Sequence, residues 1–223
     1  MTRKRLDKVA KKKCDPEGEK IDKEIMTGIA LYMKQKILIG TIEGYLQKEC
    51  KYGYKDRTGK ASGKPELVLQ GDIRDLLKDD YEVENPCSID TSILAVRPTL
   101  NEQQWEIDLK VSNEDVLCYI EMKYDELKDN GSSTNPQSEN EILRDIYKLQ
   151  CIKRTFPHAL CLVIFGTNNS AHWEEFTHVQ AGEYTIPYEG KDETFKLLSS
   201  YTIDWQEPLI YEDEGYKYFI LEI

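Results

Sequence analysis

The sequence predicts an α/β domain with a mixed central sheet flanked by helices, preceded by a basic, helical N-terminal segment. Three observations carry this expectation. Apolar residues recur every three or four positions in two early segments and again over residues 142–152, which is the helical period. Between and after these segments the pattern changes to alternation or to continuous apolar runs, the signature of half-buried and fully buried strands. Charge also changes sign along the chain. Residues 1–64 carry 17 Lys+Arg against 9 Asp+Glu, whereas residues 65–223 carry 13 against 32, so a balance of +8 precedes one of −19. The expected division is therefore a basic arm and helical segment over 1–64 and an α/β core over 65–223.

Composition sets the bounds. A chain of 223 residues with 39% hydrophobic residues can bury a core without disulfide or metal staples. Its longest apolar runs, such as 159–166, are far too short to cross a bilayer, so no membrane partner is expected. No basic segment followed by an apolar stretch opens the sequence. The six cysteines form no Cys-x-x-Cys pair and no zinc-finger spacing with histidine, and they read as buried free thiols. Both features fit a reducing, cytoplasmic location. Neither a G-x-x-x-x-G-K-[ST] nor a G-x-G-x-x-G is present, so no nucleotide cofactor is expected.

The elements follow in order. Ile21, Ile25, Ile29, Tyr32 and Met33, then Leu38, Ile42, Tyr45 and Leu46, predict helix over 19–49. Gly40 and Gly44 leave open whether it is one helix or two. The basic, glycine-containing stretch 51–64 reads as a loop. Pro65 opens a helix to Lys78 with Leu67, Val68, Ile73, Leu76 and Leu77 on its apolar face. Strands are expected over 81–96, with a break near Pro86, over 105–111 and over 116–124. Ser112-Asn113-Glu114-Asp115 makes the last two a hairpin. A polar loop over 125–140 precedes a helix over 141–154, whose face is Ile142, Ile146 and Leu149 and which Pro157 ends. Residues 159–165, the most apolar run, predict a strand buried on both faces. The rest reads as a short helix over 171–178, strands over 184–188, 209–211 and 216–223, and a helical stretch over 192–200.

The chemistry concentrates in residues 105–124. Asp108 interrupts one apolar strand, and Glu121 and Lys123 stand in the next. Period two puts Glu121 and Lys123 on the same face. Charges in an apolar strand must be paired or bound to a metal, and two carboxylates converging across a hairpin offer Mg²⁺ or Mn²⁺ the hard oxygen ligands it takes. A neighbouring lysine can orient water or offset negative charge at a phosphate. The competing reading is an edge strand with its charged face in water, or a structural Asp–Lys pair. Glu-x-Lys triplets also occur at 49–51 and 189–191, but in polar surroundings.

Asp108, twelve intervening residues, Glu121-Met122-Lys123, then a helix and a buried strand together resemble the PD-(D/E)XK nuclease superfamily, with Ile107 in the place of its proline. Residues 145–149, 162–169, Trp173, 204–205 and 216–221 look like a group of bacterial members of that superfamily. The resemblance covers about residues 65–223 and implies a restriction-endonuclease-like core. It also implies a metal-dependent nuclease that hydrolyses phosphodiester bonds of DNA, in restriction, defence or repair. On it, Asp108 and Glu121 hold Mg²⁺ or Mn²⁺ and Lys123 acts on the attacking water. An acid from the first core helix often completes such a site, which makes Glu66 and Asp72 candidates. In a second register Asp90 is the first acid and Asp108-Leu109-Lys110 the Asp-x-Lys. Many nucleases of this fold dimerise, so a homodimer is implied by analogy. The alternative is a catalytically inactive nuclease-fold module that binds nucleic acid or a protein partner.

Phosphate neutralisation falls to the N-terminal arm. Between Arg3 and Lys13, seven basic residues, among them Arg3, Lys4, Arg5, Lys11, Lys12 and Lys13, face a single acid, Asp7. Removing residues 1–14 is expected to leave the fold intact, because the segment has too few apolar residues to join a core. It should reduce the log–log salt dependence of DNA binding by up to about six units, one contribution per phosphate lost. Binding titrations at graded salt check this; an unchanged slope would mean that the arm is only solvated.

Overall fold

A computed structural model describes residues 16–48, 65–96, 98–100, 102–125, 133, 138–188, 190–207 and 216–223. The basic arm, the stretch 51–64 and the expected strand over 209–211 lie outside the described residues. The architecture is mixed α/β, with a central mixed sheet between helical layers. Among the described residues, no helix is long and apolar enough to cross a membrane.

α1 spans Pro16–Lys48 and α2 spans Pro65–Leu77. α1 is one continuous helix through Gly40 and Gly44, which answers the question those glycines leave open. Its two halves differ in environment. Leu38, Ile42 and Leu46 are buried against Leu69, Ile73 and Leu77 of α2, while Ile25, Met26, Ile29, Tyr32 and Met33 are exposed. The Tyr45 hydroxyl ties the two helices by donating to Asp72 at 2.7 Å.

The predicted strand over 81–96 is divided at Pro86 into β1 (Glu82–Glu84) and β2 (Cys87–Asp90). Asp90 then caps a single 3-10 turn over Thr91–Ile93 by accepting from the Ser92 N–H at 2.8 Å. The predicted strand over 105–111 is divided too, at Asp108, into β3 (Gln104–Ile107) and β4 (Leu109–Ser112). β3 pairs with β2, whereas β4 pairs with β1 and with β5 (Leu117–Asp125). The β4–β5 hairpin forms as expected, with Asn113 accepting from the N–H groups of Asp115 and Val116. α3 (Ser138–Thr155) carries the chain over the sheet to β6 (Leu160–Thr167), which runs parallel to β5. β11 (Lys217–Glu222) closes the other edge, giving the order β1-β4-β5-β6-β11.

Sheet parity sorts side chains between two cores. Cys118, Ile120 and Met122 of β5, with Leu160, Leu162 and Ile164 of β6, face α1 and α2. Cys161, Val163 and Phe165 face the other way, onto Ile142, Ile146, Leu149 and Ile152 of α3. Every residue of β6 is buried, as its unbroken apolar run predicts. Glu121, Lys123 and Asp125 share the α3 face of β5. Cys87, Cys118, Cys151 and Cys161 are buried free thiols, and burial pushes Cys161 up to about 12.

Two expectations are corrected. The short helix after β6, α4 (Ser170–Glu175), ends before His178, which stands in β7 (His178–Val179) paired with β10 (Tyr201–Thr202). Residues 192–200 are not helical. β9 (Lys191–Leu197) forms a hairpin with β8 (Gly182–Tyr188), because buried Phe195 and Leu197 alternate with exposed neighbours and Gly190 takes a positive φ of 76° at the turn. This hairpin packs on α3, with Tyr147 stacked on Phe195 at 5.1 Å.

At the far end of β5, Asp125 is fully buried and pairs with His172 of α4 at 3.0 Å, and His172 Nδ1 lies 2.7 Å from Glu139. Burial opposes a charged imidazole, but the two carboxylates outweigh it and lift His172 to about 9. The stabilisation from this pairing is complete below the ordinary value of 6.5 and is lost as pH rises towards 9. The melting temperature should therefore fall between pH 6.5 and 9 by the equivalent of about 1–2 kcal/mol. His172→Gln should be less stable at pH 6 and lack this alkaline fall. A wild-type curve flat to pH 9 would mean that the imidazole is neutral.

Candidate functional site

The place where one predicted strand becomes β3 and β4 is also where the charged residues meet. Beyond Leu109↔Ile120 the β4–β5 ladder stops. Two side chains continue it: the Met122 N–H donates to Asp108 Oδ2 at 2.6 Å, and the Asp108 N–H donates to Glu121 Oε2 at 3.3 Å. The strands part, the N–H groups of Asp108 and Met122 stay paired, and a cavity of about 430 Å³ opens. Its lining includes Glu66, Asp108, Glu121, Lys123, Asp145 and Lys148.

They come from four places in the fold: α2, the break between β3 and β4, β5 and α3. Glu121 and Lys123 are two apart on β5 and share a face. Asp145 and Lys148 are one helical turn apart on α3. Glu66 stands in the first turn of α2. The Lys123 ammonium lies 3.5 Å from both Glu66 Oε1 and Asp145 Oδ2. Lys148 contacts Glu121 Oε1 and lies 2.8 Å from Asp145 Oδ1. Arg144, the neighbour of Asp145, holds the rim by donating to Glu193 at 2.9 Å and Glu102 at 2.6 Å, with Tyr188 4.0 Å beneath its guanidinium.

Desolvation and packed charges set the protonation states. Burial lifts Glu66 to about 7, against the pull of Lys123. Burial also raises Asp108, and burial with the nearby Asp145 charge raises Glu121 well above the usual carboxylate range. Asp145 goes the other way: burial opposes its charge, but Lys123 and Lys148 hold it below the ordinary aspartate value. Both lysines are buried, which disfavours an ammonium, yet Asp145 and the other acids keep each well above the ordinary lysine value. Glu66 thus carries an exchangeable proton near neutral pH, and Lys123 and Lys148 are fixed cations held against the buried acids.

Sequence reasoning and structure can be compared residue by residue. Asp108, Glu121 and Lys123 come together, and Glu66 joins them. Asp72 does not, being the acceptor of the Tyr45 bond between α1 and α2. Asp90 does not either: it is exposed and caps its own 3-10 turn, while Lys110 pairs with Glu84 at the sheet edge. The second register therefore finds no site. Arg3, Lys4, Arg5, Lys11, Lys12 and Lys13 lie outside the described residues. Sequence reasoning left Asp145 and Lys148 out of the site. Their signal was an acid and a base three apart beside the apolar stripe of a helix that follows Lys123.

The donor set is one that Mg²⁺ or Mn²⁺ takes, since it consists of carboxylate oxygens. Asp145 Oδ2 is buried and makes no hydrogen bond, and its neighbour is the Lys123 ammonium at 3.5 Å. As the side chains stand, however, no three His, Cys, Asp or Glu among the described residues are grouped to hold a metal ion. The chain matches no family model, no curated protein and no solved structure.

The raised Glu66 has a measurable consequence. Its folded form keeps a proton between pH 4.5 and about 7 that the unfolded chain has lost, so its contribution to stability falls as pH rises through that window. Glu66→Gln should be more stable than wild type at pH 8 and closer to it at pH 5. Denaturant titrations at the two pH values check this; an equal difference at both would place the Glu66 carboxyl in solvent.

Proposed function

We propose that the protein is a metal-dependent nuclease that hydrolyses phosphodiester bonds of DNA, on a restriction-endonuclease-like core. The observation that carries this reading is the convergence of Asp108, Glu121 and Lys123, with Glu66, on one cavity where the strands part. The helix and buried parallel strand that follow Lys123 add support, because they belong to the pattern on which the resemblance to PD-(D/E)XK nucleases rests.

On this reading Asp108 and Glu121 hold the ion, with Asp145 as a further oxygen donor. The ion supplies polarisation of a phosphoryl oxygen and a water of lowered pKa. Lys123 acts as a cation and hydrogen-bond donor that orients water and offsets charge developing at phosphorus; its surroundings keep it protonated, which makes it unsuited as a base. Glu66, at about 7, is the side chain able to take or return a proton at neutral pH. With Lys123 held protonated, the lowered-pKa water that the ion would supply is the nucleophile, so activity should require the metal rather than merely be increased by it.

The second reading, a catalytically inactive module of the same fold, is favoured by one observation: Lys148 already occupies Glu121. The two diverge in a cleavage assay on plasmid and linear DNA with Mg²⁺ or Mn²⁺. On the first, wild type cleaves, and both Asp108→Asn and Lys123→Met reduce the rate by about two to three orders of magnitude while DNA binding in Ca²⁺ survives. Asparagine keeps an acceptor for the Met122 N–H, so that loss is not a folding defect. A folded wild type that leaves both DNAs intact with either cation would discard the nuclease in favour of the inactive module.

A further inference from the structure

We infer that Lys148 is a resident counter-cation: it holds Glu121 and Asp145 in the metal-free protein, and it must leave Glu121 before a divalent cation can bind there. The inference rests on the metal-site reading above and concerns how that site is kept closed.

The donors on Glu121 are the first reason. Glu121 is 1% exposed, and both its carboxylate oxygens are in use. Oε2 accepts from the Asp108 N–H, and Oε1 is in contact with the Lys148 ammonium. Asp145 is occupied on the same side, with Oδ1 2.8 Å from Lys148. Asp108 spends Oδ2 on the Met122 N–H. The acids are near one another, yet ammonium groups lie between them. That is the physical reason why residues of the right chemistry form no metal cage among the described residues.

The second reason is that a cation is required here whether or not metal is present. An unpaired buried carboxylate costs several kcal/mol, and two facing each other cost more. Lys123 makes its close ion pairs with Glu66 and Asp145 and reaches Glu121 only at longer range. Lys148 fills this gap, with its side chain only 6% exposed.

Lys148 also has somewhere to go. Its ammonium is 3.4 Å from the Glu106 carbonyl oxygen, and Asp145 sits one turn away on its own helix. Rotation of the lysine side chain can release Glu121 while the Asp145 pairing on α3 is kept. Metal binding on this account is an exchange of cations at Glu121. The apparent metal affinity is therefore lowered by the work of moving Lys148, and removing its charge should raise that affinity.

The test uses the full chain and Mn²⁺ alone, with calorimetric titration and melting temperature as readouts. Lys148→Met keeps the length of the side chain without its charge; Lys148→Gln keeps a hydrogen-bond donor for Glu121 as well. Both are expected to melt below wild type without metal. Both should bind Mn²⁺ at least about tenfold more tightly than wild type, a gain of about 1.4 kcal/mol. Mn²⁺ should also raise their melting temperatures more than it raises that of wild type. A variant unfolded alone but folded by Mn²⁺, read by circular dichroism, supports the exchange equally. If wild type binds Mn²⁺ and the folded variants bind it no more tightly, the metal site stands and the role of Lys148 in closing it falls. Variants that stay unfolded in Mn²⁺ overturn that role as well. If neither wild type nor variants take up Mn²⁺, the metal-site reading itself fails and the inference goes with it.

Discussion

Three charged side chains on one face of a central strand, Glu121, Lys123 and Asp125, must be neutralised by whatever packs on that face. Leaving one such charge unpaired costs about 3–5 kcal/mol, a large part of the net stability of a domain. The structure answers with a second set of charges. α3 brings Asp145 and Lys148 to Glu121 and Lys123, α2 brings Glu66, and α4 brings His172 to Asp125. The helix that covers this face is consequently two-sided in character. Ile142, Ile146, Leu149 and Ile152 build the core, while Arg144, Asp145 and Lys148 are buried beside them in ion pairs.

The same demand shapes the backbone. An uninterrupted strand over 105–111 would continue the ladder along β5 and leave no backbone N–H of the hairpin for the Glu121 carboxylate. Splitting it at Asp108 frees backbone groups that the two carboxylates then satisfy. β3 turns away to pair with β2, and the space left becomes the cavity. A local exchange of ladder bonds for side-chain bonds thus produces a concave, acid-lined wall. The wall is balanced by lysines, so the electrostatics that keep the protein folded and those that the proposed chemistry would use rest on the same residues.

The sequence by itself determined most of the frame. The apolar run over 159–165 required a strand covered on both faces, and the structure has β6 there with every residue buried. Period two placed Glu121 and Lys123 together, and the Asn113 turn fixed the hairpin register, since both are set by bonds within a few residues. Local pattern misled at 192–200. Lys191, Asp192 and Glu193 look at home on a solvated helix, and only burial of Phe195 and Leu197 against α3 makes the segment a strand. Tertiary structure alone decided the composition of the site. Nothing within the neighbourhood of Asp72 distinguishes it from Glu66 as a candidate, and the hydrogen bond from Tyr45, 27 residues away, removes it; Asp90 is removed locally, by its cap on the Ser92 N–H. Asp145 and Lys148 belong to the site because a helix 18 residues long crosses the sheet and sets one of its turns over Glu121. Which charges face one another across that gap depends on how elements distant in sequence pack, and no periodicity within a single element records it.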